Sequence, residues 1–129
     1  MRIEKFKRYH NESLVIIQCD LPNHKVALAI DTGASHTTID LTALLIVGIE
    51  IKNALRIEKL ETASGVIDAY VFIVPQFTAL GTTKYNVEIC AYDFFAHNVL
   101  CEFDGVLGLD FLNNHKICID FRKSEISIQ

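Results

Sequence analysis

Ala29-Ile30-Asp31-Thr32-Gly33-Ala34-Ser35 is the stretch on which the reading turns. Two apolar, strand-forming residues run straight into an aspartate, a threonine and a glycine. A carboxylate at the end of a buried strand is costly unless its charge is hydrogen-bonded. Gly33 lets the backbone turn sharply, which brings amide N–H groups toward that carboxylate. Thr32 adds a hydroxyl able to bond to a neighbouring loop. The same tripeptide also suits a simple strand end with Asp31 in a turn, and three residues alone do not choose between the two.

The flanks read as short strands. Leu14 to Cys19 and Lys25 to Ile30 are rich in β-branched and apolar residues, with Asp20-Leu21-Pro22-Asn23 as turn chemistry between them. Thr38-Ile39-Asp40 leads into Leu41 to Val47, an apolar stretch that suits a short helix packed in the core, with Asp40 as N-cap and Gly48 as its stop. A membrane-surface role is the other reading of that stretch. Ala54 to Thr62 and Val66 to Val74 form a hairpin turning at Ala63-Ser64-Gly65, and Lys84 to Tyr92 is a further strand. Phe103 to Leu107 is strand-like, Leu109 to Asn113 has room for about one helical turn, and Lys116 to Phe121 and Glu125 to Ile128 close the chain. The class is mainly β, closed or barrel-like, with one or two short helices, as a single domain over 1–129.

Composition narrows the function. Half of the 129 residues are apolar, 22% are charged and net charge is −4, which excludes a disordered chain. No basic run points to nucleic acid, and no apolar stretch is long enough to span a membrane as a helix. Met1 to Leu14 shows no signal-peptide core. Cys19, Cys90, Cys101 and Cys118 have no metal-ligand spacing and read as reduced thiols of a cytoplasmic protein. No metal site is expected. A mean hydropathy of +0.27 is high for a small soluble monomer and leaves apolar surface for a second chain to cover.

A second motif answers the first. Gly105-Val106-Leu107-Gly108-Leu109-Asp110-Phe111-Leu112 supplies an apolar pair, a glycine and a short helix, as a loop packing against Asp31 requires. The Gly-tipped hairpin lies between the two motifs, placed as a lid. In this order and spacing, over about residues 14 to 129, the chain resembles the retropepsin-like aspartic proteases. These are single-lobe relatives of retroviral protease, and the C-terminal pattern is closer to bacterial members.

The resemblance implies a closed acid-protease barrel with a flap at Ala63, Ser64 and Gly65. Only one Asp-Thr-Gly occurs, so two chains must each contribute Asp31 at a two-fold axis. Two close carboxylates share a proton; one then acts as general base on water and the other polarises the scissile carbonyl. No metal or organic cofactor is implied. Thr32 would bond across the axis, Gly33 would present its N–H to the carboxylate, and Ala34 would lie below the dyad. Pepsin-like enzymes often carry Ser at the Ala34 position, and its absence here points to a mildly acidic to near-neutral optimum. An extended peptide would lie against Ala29, Val66, Ile67, Val106, Leu107 and Gly108, and the terminal strands would build the dimer interface. The acid–Arg pair usual in viral enzymes is absent, with Ser35 and Leu109 in its place, which puts subsite chemistry rather than the dyad in question.

The remaining acids have plainer readings. Asp40 and Asp110 suit helix caps or turns, and Asp68 suits a solvent face. His36 follows the loop closely but has no Ser or Cys nucleophile geometry to serve. His10, His24, His97 and His115 read as surface or turn residues. Neither Ser35 nor Ser64 sits in a nucleophile elbow. Three functions stay open: a homodimeric aspartic endopeptidase, a peptide-binding or dimerisation module without efficient cleavage, and a structural module that is monomeric alone.

Overall fold

Six strands close into a ring, and the flap strand hangs from its side. The computed structural model describes residues 2–8, 14–62, 65–97 and 102–129. In chain order the strands are β1 (Arg2–Lys5), β2 (Ile16–Leu21), β3 (His24–Ile30), β4 (Thr38–Asp40), β5 (Arg56–Thr62), β6 (Gly65–Ala79), β7 (Thr82–Tyr92), β8 (Gly105–Leu107), β9 (Ile117–Asp120) and β10 (Glu125–Ile128). Two short helices, α1 (Leu41–Ile46) and α2 (Leu109–Leu112), and two 3-10 turns complete the described structure.

The main sheet runs β2-β3-β8-β4-β7-β6-β5, and a bridge from Asp20 on β2 to Thr78 on β6 closes the first six of these into a barrel. β5 lies outside the ring and, among the described residues, pairs only with β6, from Arg56–Val71 to Thr62–Gly65. Apolar residues fill the interior: Ile17, Leu28, Ile39, Phe72, Phe77, Ile89 and Leu107 are at most 2% exposed. Burying such side chains contributes roughly 1.5–3 kcal/mol each.

Expected elements appear with shifted ends. The first hairpin is Ile16–Leu21 and His24–Ile30, with Asn23 in the left-handed region (φ 63°) at the turn. β6 runs fifteen residues, straight through Pro75. Beyond Val71 it has lost β5 as a neighbour, so an absent N–H costs no bond on that side. The ladder with β7 skips Pro75 and Asn86 and resumes in the same register. Leu80 and Gly81, both at positive φ, make the tight turn into β7.

Two expectations are corrected and one strand is added. The Leu41 to Val47 stretch is only half core: Leu41 and Leu44 are buried, but Leu45 and Ile46 are exposed. Asp40 stands at the N-cap without capping α1, because its Oδ1 accepts the Phe94 N–H instead (3.1 Å). The N-terminus also holds a strand, β1, which pairs with β10 and with it β9 in a separate three-stranded sheet.

Candidate active site

Asp31 stands where β3 leaves the barrel. β8 lies between β3 and β4, pairing Ile30 with Leu107 and Val106 with Thr38. Gly105 permits this crossing, since a Cβ there would lie 2.0 Å from the Thr38 carbonyl oxygen. The Asp31 N–H donates to the Leu107 carbonyl (3.1 Å), which fixes the start of the loop. The Gly33 N–H donates to Asp31 Oδ1 at 2.8 Å, and the Ala34 N–H returns to the Asp31 carbonyl (3.2 Å). One backbone donor therefore orients the carboxylate. Thr32 and Gly33 are exposed, and Asp31 is half-buried.

The second motif clasps the first from behind. Leu109 and Asp110 donate their N–H groups to the carbonyls of Ala34 and Ser35 (2.8 and 3.2 Å). The Asp110 carboxylate accepts the Thr37 N–H and hydroxyl, and Thr37 Oγ1 accepts the Gly108 N–H (3.1 Å). Asp110 also accepts the Phe111 N–H (2.9 Å), so its turn role is real but the smaller part of its work. Gly108 is required by packing, because a Cβ there would lie 2.7–2.8 Å from backbone atoms of His36 and Ala34.

A cleft of about 700 Å³ opens over Asp31. Gly33, Ala34, Ser35, His36, Thr38 and Val106 form its floor, Lys59, Leu60, Glu61 and Thr62 on β5 its roof, and Tyr92, Phe94 and Phe103 its end. At the flap tip Thr62 Oγ1 donates to the Gly65 carbonyl (2.8 Å), and Gly65 adopts φ 123°, a conformation closed to other residues. Ala63 and Ser64, expected at the tip, lie outside the described residues.

The six expected substrate contacts separate. Val106 lines the cleft. Leu107 is 0% exposed and packs in the barrel core, Ala29 is 1% exposed on the face it shares with Val106 without lining the cleft, and Gly108 is buried behind the loop. Alternation along a strand explains this, since Val106 faces the cleft and its neighbour Leu107 faces the core. Val66 and Ile67 lie on β6 across from Glu61 and Leu60, the residues that form the roof. Tyr92, Phe94 and Phe103 were not singled out; aromatics beside strand ends carry no signal that separates a cleft wall from core.

His36 Nδ1 and Ser35 Oγ are 2.8 Å apart at the rim. Among the described residues no three of His, Cys, Asp and Glu gather as a metal-ligand set, and no helix is long and apolar enough to cross a membrane.

One oriented carboxylate therefore stands on the floor of this cleft. A family model described as aspartyl protease matches residues 17–111, from the first barrel strand through the motif around Gly108. No curated protein sequence matches the chain. Among solved structures, a retropepsin-like aspartic protease from Rickettsia conorii is similar over 100% of this chain and 99% of its own, with a TM-score of 0.70 and 18% identity. That likeness is one of fold, and it matches the closed barrel found here. The chain belongs to the aspartyl protease family and has the retropepsin-like fold.

Proposed function

We propose that the chain, acting as one domain, is an aspartic endopeptidase that works as a homodimer on extended peptides. The observation that carries this reading is the single Asp-Thr-Gly turn, exposed at Thr32 and Gly33, with one oriented carboxylate beneath a flap. Aspartic chemistry needs two such carboxylates, and a two-fold axis beside Thr32 supplies the second.

In the dimer the two Asp31 side chains share one proton. The ionised one removes a proton from a bound water as the oxygen attacks the peptide carbonyl. The protonated one hydrogen-bonds the carbonyl oxygen as it gains charge. Collapse of the tetrahedral intermediate breaks the C–N bond, and a carboxyl delivers a proton to the leaving amine. Thr32 hydroxyls bond across the axis and Ala34 lies below the dyad. No metal or organic cofactor enters the reaction. Thiols that are free at Cys19, Cys90 and Cys118 suit a reducing, cytoplasmic setting.

The test is cleavage of a complex peptide library across pH, read by mass spectrometry, for wild type and Asp31→Asn. Cuts made by the wild type and absent from a folded Asp31→Asn protein support the reading, with the most cutting at mildly acidic to near-neutral pH. No cuts at any pH, at concentrations where the protein is dimeric, leave a peptide-binding module instead.

A further inference from the structure

The roof of the cleft hangs from one strand. Among the described residues β5 pairs with β6 alone, and the ladder of β6 with β7 begins only at Tyr70–Ala91. The hairpin on the tip side of Tyr70 therefore projects from the ring. Backbone pairing holds its two strands together but does not fix its tilt against the barrel, because β6 tilts with β5.

Arg56 crosses from the hairpin to the ring. It stands opposite Val71, which stands opposite Cys90, so these three side chains share one face of the sheet. Glu58 and Glu88, each two residues along its strand from one of them, share that face. Arg56 Nε donates to Glu58 Oε1 (2.6 Å), and its Nη2 donates to Glu88 Oε1. β7 lies two strand spacings from β5, roughly 10 Å, which a long Arg and Glu span together. A chain of three charges thus runs from the ring strand β7, over β6, to Glu58 on the flap. The roof starts at the next residue, Lys59, and ends at Thr62. The Lys59–Asp68 pair, by contrast, joins β5 only to its hairpin mate β6.

The Arg56 chain is open to solvent, with Arg56 42% and Glu88 50% exposed. Dissolved salt screens such charges. An exposed pair adds little to folding, yet a small bias is enough to set the tilt of a hairpin that nothing else braces against β7.

We infer that Glu58, Arg56 and Glu88 form a salt-sensitive latch that sets the tilt of the flap and with it the height of the roof over Asp31. Arg56 is a positioning residue, acting through Lys59 to Thr62. The inference rests on the proposed peptidase reading for what the roof holds.

The experiment compares wild type, Arg56→Gln, Glu88→Gln and the double variant on one peptide that the wild type cuts, at protein concentrations where dimers are saturated. Each single variant is expected to raise KM about threefold at low salt with kcat little changed, the scale of an exposed ion pair. The double variant should be no worse than either single one. In about 1 M NaCl, where the screening length is roughly 3 Å, wild type and variants should converge. Lys25→Gln, which breaks the exposed Lys25–Asp20 pair on β2 and β3, should leave KM unchanged. Amide exchange read by mass spectrometry tests the latch without chemistry. Residues 56–62 should exchange about threefold faster in Arg56→Gln, with β2 and β3 as in the wild type. Equal exchange over 56–62, or faster exchange spread equally over β2 and β3, overturns the latch. Faster exchange over 56–62 with wild-type KM overturns its part in placing the roof. Absence of all cleavage overturns the peptidase reading, and the exchange comparison still decides the latch.

Discussion

The Asp110 carboxylate holds Thr37 by its backbone N–H, 2.9 Å from each oxygen, and by its hydroxyl at 2.7 Å. Thr37 is 2% exposed, so its donors have little access to water if Asp110 is lost. The contact joins α2 to the end of the Asp31 loop, in a chain that has neither member of the viral acid–Arg pair.

Replacing that carboxylate should therefore loosen the loop. Asp110→Ala is expected to cost about 1–3 kcal/mol, the usual range for leaving a buried donor without a partner. Asp110→Asn keeps an acceptor oxygen and should cost less. Urea unfolding of the three proteins measures both, and an Asp110→Ala protein as stable as wild type would show the clamp to be idle.

Two glycines should fail in different ways. A Cβ on Gly105 would stand 2.0 Å from the Thr38 oxygen and 2.9 Å from the Ile39 Cα, both backbone atoms that cannot yield. Gly105→Ala should lose about 3 kcal/mol or more, or not fold. A Cβ on Gly33 meets only Asp31 Oδ1, at 3.2 Å. Gly33→Ala should fold within about 1 kcal/mol of wild type. Its cleavage rate should nonetheless drop about tenfold or more, because the carboxylate must move. Thermal melts paired with a peptide cleavage assay separate the two outcomes.

The proposed two-chain site predicts a response to mixing. Specific activity should rise with protein concentration until dimers saturate. Equal amounts of wild type and Asp31→Asn, allowed to exchange, should retain about a quarter of the activity expected if every chain were wild type, since only one random pairing in four carries both aspartates. Retention of half would mean that each chain works alone.

The thiols provide a pH test of the fold. Burial pushes Cys90 up to about 11 from its ordinary value of 9.0, with the Glu58 charge adding to the effect, and burial drives Cys19 upward as well. A raised thiol is protonated in the folded state when the unfolded chain has already ionised. The stabilising contribution is thus complete below about pH 9 and is lost as pH rises toward 11. Denaturation midpoints should fall across that window, and by less in Cys90→Ala. At pH 8, alkylation followed by peptide mapping should mark exposed Cys118 well before Cys19 or Cys90.

Much of the barrel and of the site was legible from residues. Ala29 through Gly33 spelled a strand ending in an oriented carboxylate because Ala29 and Ile30 make an apolar strand end, Asp31 supplies the carboxylate and Gly33 the turn. Gly105 through Leu112 was legible for the same reason, and the structure shows its backbone clasping Ala34 and Ser35. The pocket walls were not. Choosing Leu107 over Phe103 or Tyr92 depends on which face of a short strand meets the core, and a three-residue strand has too few alternations to reveal its phase. β1 was missed because Arg2-Ile3-Glu4-Lys5 is largely exposed, and its partner β10 lies at the other end of the chain. The strand read as Val66 to Val74 continues to Ala79 through Pro75, where the missing N–H faces no neighbour on the β5 side.

The Asp20–Thr78 bridge is where the first and last strands of the ring meet. β6 and β7 are joined by a two-residue turn and β2 and β3 by another, so those hairpins can zip from nearby segments early in folding, while the junction of β2 with β6, like the pairings of β8 with β3 and β4, must wait for segments far apart in sequence to find each other. It is the clasp of a bracelet: a single bridge that closes the ring, whose amide protons should trade with solvent before those of the hairpins beside it.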